Sequence, residues 1–330
     1  MKTAKIIVLT TVLALTFLIT STLFENSLSA QSDQSSDQKI AFIRNGDIWL
    51  MNPDGSGQMP WVAKITNAKG RLSWSPDNKR LVFSRRGKVD ISYPEGGGGY
   101  HFLYDLFFSY TDSIGIQDNF WYGFTTTLGA QSPDWSKEGT LIAFSYDPMG
   151  NVVDATQPDY TVGFYNTDTE EITYLEMPKD DKNLMALMPT ISPDGKQVCF
   201  ILGELAQSQM QRLGMVITPV DEIGMTSAEL IEMASKLPDV YSPAWSPDGK
   251  MIAFLKDDGL YVVNSDLTNP RLVCHPEQGL WVSGMPCWSP DSKKLAYCTS
   301  NEAIYTVNLD GTEMIRISGP GADSNPAWTK

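Results

Sequence analysis

Histidine is almost missing from this 330-residue chain: His101 and His275 are the only two. Their scarcity excludes His-rich metal centres and leaves little material for paired histidine catalysts. Positive charge is short as well, with 25 Lys and Arg against 39 Asp and Glu and a net charge of −14. A grip on phosphates needs the opposite balance, so nucleic acid and anionic membrane surfaces are excluded as partners. Cysteine is limited to Cys199, Cys274, Cys287 and Cys298, with no CxxC spacing, which removes zinc and redox-motif readings. No GxSxG, HExxH or phosphate-loop motif occurs, and no cofactor or metal site is indicated. Beyond the N-terminus no apolar run is long enough to span a bilayer. What is present is a 42% hydrophobic complement, ample for a large core.

The first thirty residues read as an export signal. Lys2 and Lys5 flank an apolar run from Ile6 to Ile19, and Ser27, Leu28, Ser29 and Ala30 close it. Cleavage after Ser29 or Ala30 is expected, giving a periplasmic or secreted chain with no transmembrane segment. Residues 31–38, QSDQSSDQ, read as a disordered polar linker, and 39–330 as the folded part. Export permits disulfides, and Cys287 and Cys298 flank one expected hairpin; the alternative is four buried thiols.

A repeat organises the remainder. LSWSPDNKRLVF begins at Leu72, PDWSKEGTLIAF at Pro133, PTISPDGKQVCF at Pro189, PAWSPDGKMIAF at Pro243 and PCWSPDSKKLAY at Pro286. Each has an anchor (Trp74, Trp135, Ile191, Trp245, Trp288) and an aromatic nine positions later (Phe83, Phe144, Phe200, Phe254, Tyr297). Ser-Pro-Asp-Gly between apolar runs is a turn, in which Pro presets φ, Asp bonds nearby backbone and Gly tolerates the exit geometry. Third strands are expected at DIWLMNPDG, LYVVNSD and IYTVNLDG, and fourth strands at WVAKIT, EITYLEM, PRLVC and MIRIS. Four strands per repeating unit describe an all-β propeller.

The termini complete the count. Residues 39–66 supply a second, third and fourth strand without a first, whereas Asn325–Lys330 supply a first strand alone. Joined, with Trp328 as anchor and Phe42 as aromatic, they make a sixth blade. The expected fold is a six-bladed β-propeller of four-stranded blades, closed by the C-terminal strand joining the N-terminal blade.

The repeated Pro-Ala-Trp-Ser-Pro-Asp-Gly-Lys-x-Ile-Ala-Phe unit resembles the propeller repeat of the TolB family, over residues 39–330. The resemblance implies a periplasmic propeller. TolB proteins carry a further N-terminal α/β domain, for which the QSDQSSDQ segment offers no material.

Function is sought in the insertions, since repeated hairpins are scaffold. Residues 93–124 hold eleven aromatics, a third of the segment against 11% of the chain. One reading is an aromatic platform of Tyr100, His101, Tyr104, Asp105, Trp121 and Tyr122 for a protein or peptide, or a glycan. The other makes HFLYDLFF and NFWYGF outer strands of a large blade. Gly96–Gly99 is a run that no packed strand needs. A second insertion brings Asp147, Asp154 and Asp159, read as a solvated acidic loop. Thr226-x-x-Glu229 is a helix-capping box, although alignment of the blades places a fourth strand there. The expected activity is non-catalytic binding, by a monomer, through loops at one face of the channel. The competing expectation is a glycan-processing lyase or hydrolase using carboxylates in the channel.

Overall fold

The Ser-Pro-Asp turns behave as their chemistry dictates. In the computed structural model the Ser75 hydroxyl donates to Asp77 at 2.5 Å and accepts from Arg80 N–H at 2.9 Å, while Lys79 N–H donates to Asp77 at 3.1 Å. The same bonds recur at Ser192–Asp194, Ser246–Asp248 and Ser289–Asp291. The exits at Asn78, Gly139, Gly195, Gly249 and Ser292 all have positive φ. The structure describes residues 38–62, 67–92, 98–110, 129–147, 160–180, 183–206, 209–222, 224–257, 259–276, 279–319 and 322–330. The expected signal segment, the linker up to 37, Trp121, Tyr122, Asp154 and Asp159 lie outside the described residues.

Residues Ile40–Lys330 form one compact unit. Blade one contains β1 (Ile40–Arg44), β2 (Asp47–Met51) and β3 (Met59–Val62). Blade two is β4 (Ala68–Trp74), β5 (Arg80–Ser92) and β6 (Gly98–Tyr110); blade three is β7 (Gln131–Trp135), β8 (Leu141–Tyr146), β9 (Thr161–Asn166) and β10 (Ile172–Tyr174). Blade four has β11 (Leu184–Ile191), β12 (Gln197–Ala206), β13 (Gln209–Pro219) and the helix α1 (Ser227–Ala234). Blade five is β14 (Val240–Trp245), β15 (Met251–Lys256), β16 (Gly259–Asn264) and β17 (Arg271–Cys274). Blade six is β18 (Val282–Trp288), β19 (Lys294–Thr299), β20 (Ile304–Asn308) and β21 (Ile315–Arg316), after which β22 (Asp323–Trp328) returns to blade one. Every pairing is antiparallel, and the first sheet runs β22-β1-β2-β3, as expected from the termini. Ile40 faces Trp328, and Arg44 faces Asp323.

Four blades have four strands, and two have three described ones. In blade four a helix follows the third strand. Thr226 Oγ accepts from Glu229 N–H at 3.3 Å and Glu229 returns the bond to Thr226 N–H at 2.8 Å, so the capping box prevails over the strand alignment. Leu230 and Ala234 of α1 are buried with Val216 and Phe200.

Six hydrophobic clusters fill the six blade-to-blade interfaces. Each contains both the anchor and the aromatic of one blade, packed against its predecessor: Trp288 and Tyr297 meet Leu255, Leu260 and Val262, for example. Phe42, Phe83, Phe144, Phe200, Phe254 and Tyr297 are all buried, as are the six anchors. The repeat is thus an inter-blade packing unit, which is why it recurs. All four cysteines are free thiols; Cys287 pairs opposite Ala296 and Cys298 opposite Ser283, so the two do not face each other.

Candidate functional site

Strand direction sorts the loops to two ends of the ring. Ser-Pro-Asp turns and third-to-fourth-strand turns lie at one end; second-to-third-strand connections and the links between blades lie at the other. Three second-to-third-strand connections are enlarged, in blades two, three and four, whereas residues 111–124 of the aromatic segment follow β6 and lie outside the described residues. Strands β5 and β6 run 13 residues each and β12 and β13 run 10 and 11, against 6 for β15 and β16. Residues 147–160 separate β8 from β9. Topology therefore gathers the insertions of three consecutive blades at one end.

Within this group the aromatic segment divides. Phe107 stacks on Phe83 at 6.0 Å and Phe108 packs on Trp135 at 5.4 Å, both buried, so these two are core. Tyr104 and Asp105 are half-buried, and the Tyr104 carbonyl accepts from Gly129 and Ala130 N–H at 2.9 and 3.0 Å. Tyr100 and His101 continue the same strand, in register with Asp90 and Val89. Gly98 and Gly99 are also strand residues, paired with Ser92 and Ile91, which corrects their reading as glycines that no strand needs. Asp147 is buried rather than part of a solvated loop.

Sequence reasoning missed Trp281. It lies on the link from β17 to β18, at the insertion end, and is 57% exposed. Its main chain is pinned to Ser300, with the carbonyl accepting at 2.9 Å and the N–H donating to the hydroxyl at 3.3 Å. The available signal was its place outside the repeat, seven residues before the Trp288 anchor.

The inner strands line the channel, and each carries a bulge. Positive φ at Gly70, Ser132, Met188, Ser242, Gly284 and Asn325 coincides with a register shift in all six. A proline is tolerated in the bulge because it needs no ladder partner there, as at Pro133, Pro189, Pro243, Pro286 and Pro326.

The residue before each anchor links neighbouring blades by one of two bonds. Where it carries a heteroatom, that atom accepts the next anchor's main-chain N–H: Ser73 from Trp135 at 2.9 Å, Asp134 from Ile191 at 3.1 Å, Thr190 from Trp245 at 3.0 Å, and Cys287 from Trp328. Where it is alanine, its carbonyl accepts the next Trp Nε1: Ala244 from Trp288 at 2.9 Å and Ala327 from Trp74 at 3.0 Å. Burial pushes the Cys287 thiol up to about 12, so it serves as an acceptor rather than a nucleophile.

Two charged cavities occupy the turn half of the channel. One of about 90 Å³ is lined by Arg71, Asp134 and Lys330 among the anchors; one of about 120 Å³, at the Ser-Pro-Asp mouth, is lined by Asp134, Lys137 and Lys330. Asp134 is the sole Asp or Glu among the residues lining both. Among the described residues no group of three His, Cys, Asp or Glu is placed to hold a metal.

No family model and no curated protein sequence matches the chain. Solved structures do match in shape. TolB from Acinetobacter baumannii superposes with a TM-score of 0.58 at 14% identity, covering 89% of this chain and 67% of that one. A chain of a nidogen/laminin complex gives 0.54 at 8% identity, covering 89% and 98%, and a candidate TolB from Agrobacterium tumefaciens gives 0.50 at 14%, covering 87% and 91%. In fold, the chain is a TolB-like six-bladed β-propeller.

Proposed function

We propose that this propeller is an exported, non-catalytic scaffold that binds a protein or peptide at its insertion end. The observation that carries the reading is the gathering of three insertions at one end of the ring, with Tyr104 and exposed Trp281 at that same end. Aromatic side chains on a rigid frame supply contact area at small entropic cost. A likeness to a nidogen/laminin complex, a protein–protein assembly by its own description, adds support. Export rests on the charged, apolar and small-residue pattern of residues 1–30, with cleavage after Ser29 or Ala30.

The lyase or hydrolase alternative draws less support from the channel. Glycosidic chemistry uses two carboxylates, and Asp134, bonded to Ser73, Thr190 and Ile191, stands without a second acid among the residues lining the two cavities. Asp77, Asp194, Asp266 and Asp310 are held below the usual carboxylate range by Ser or Thr hydroxyls in their own turns, opposite to what a general acid needs.

Affinity capture from the source periplasm with wild type, Tyr104→Ala and Trp281→Ala tests the proposal. Each variant is expected to melt within a few degrees of wild type and to lose capture about tenfold, the ratio that about 1.4 kcal/mol produces. Loss of stability with capture by the folded fraction intact would reject the insertion end as the binding face.

A further inference from the structure

We infer that the turn half of the channel is a binding site for a single carboxylate group, coordinated by Arg71 and Lys330. The inference concerns the end of the ring opposite the insertions and stands independently of the partner proposed there.

Arg71 is 7% exposed, yet its guanidinium is incompletely used. Nη2 donates to the Pro243 carbonyl and Nη1 lies 3.5 Å from Asp134, while the buried Nε has no partner. An unmatched N–H on a buried cation is costly, and an incoming anion removes that cost. Asp134 does not answer it: Oδ1 accepts from Ser73 at 3.2 Å, and Oδ2 accepts from Thr190 at 2.6 Å and Ile191 N–H at 3.1 Å. Lys330 Nζ donates to the Trp135 carbonyl from the wall of the same cavity.

Charge and size select the ligand class. Among the lining side chains, Arg71 and Lys330 set two cations against the one carboxylate of Asp134, inside a chain of net charge −14. A monoanion adds less uncompensated charge to so enclosed a space than a phosphate dianion does. A cavity of about 90 Å³ admits a carboxylate with a short stem, given that one water needs about 10–15 Å³ on this measure. Lys137, exposed at the mouth, adds a cation along the approach. The Trp74, Trp245, Trp288 and Trp328 side chains around the cavity keep it largely apolar, which strengthens a charged contact.

The test is titration of sodium acetate into the purified protein at pH 7, with ionic strength held constant by sodium chloride. Heat and tryptophan emission are read together, since four tryptophans line the cavity. Saturable binding of acetate is expected, weakened at least tenfold in Arg71→Gln and in Lys330→Gln. Should Arg71→Gln fail to fold, Lys330→Gln and the exposed Lys137→Gln decide, the latter by a smaller loss. A linear, unsaturable response, or equal affinity in wild type and the folded variants, overturns the site. Tighter binding of sodium phosphate than acetate overturns the monoanion assignment. A peptide with a free C-terminus compared with its amide then separates a chain-terminal carboxylate from a free acid.

Discussion

At the scale of single residues, the position before each anchor decides how adjacent blades are joined. Thr190→Ala should convert its link to the alanine type, but Trp245 Nε1 already donates to Gly249 O at 3.2 Å. The Trp245 main-chain N–H is then left without its acceptor, a loss of about 1–3 kcal/mol, readable by urea denaturation. Asp134→Ala should cost more, about 3–5 kcal/mol, because it leaves buried Arg71 without its ion-pair partner. Lys330 makes a prediction in pH. Burial lowers its ammonium from 10.5 to about 8, an effect that Arg71 and Lys137 reinforce and Asp134 opposes. Between those values the unfolded chain holds a proton that the folded chain has released, so this group raises stability as pH climbs from about 8 to 10.5. Below about 8 both states are protonated and the burial penalty is present in full. Lys330→Met should lack this increment, and the difference in melting between it and wild type should shrink across the window.

Among elements, α1 and β13 test how blade four is finished. A Cβ at Gly214, where φ is +149°, would sit 2.1 Å from the Ala234 carbonyl at the end of α1. Gly214→Ala should therefore displace the helix and cost about 1–3 kcal/mol, the range for overpacked sites. Helical signal and thermal melting report it; an unchanged melt would mean that α1 does not hold against β13. The long β5–β6 hairpin serves two purposes along its length. Its blade-proximal part supplies Leu106, Phe107 and Phe108 to the core, and its remainder runs on toward the insertion end.

For the molecule as a whole, closure of the ring rests on the contact of β22 with β1. Arg44 grips Asp323 through two bonds of 2.6 and 2.7 Å, also donates to Gln58 at 3.0 Å, and lies over Phe42 and Trp49. Asp323 is fully buried. Arg44→Ala leaves that carboxylate unpaired and should cost about 3–5 kcal/mol. Deleting Asn325–Lys330 removes Trp328 from the interface of blades six and one, a loss of about 3–5 kcal/mol for the tryptophan alone. Melting of the two variants should fall together; an unaltered melt in the truncation would contradict closure by strand exchange.

The propeller, its six units and the exchange of strands between termini were legible in the chain because each anchor and aromatic fills the same inter-blade space. That space repeats, so its residues repeat. The bulges were not legible, since Gly, Ser, Met and Asn all occupy the same left-handed position and share no side-chain signature. The helix was readable locally from Thr226 and Glu229, and only packing against Val216 decided it over a strand. For the aromatic segment, composition marked the region, but residue type alone does not distinguish Phe108 in the core from Tyr104 at its border. The channel charges were the least visible of all. Arg71, Asp134 and Lys330 are far apart in sequence, and only closure of the ring brings them into one cavity.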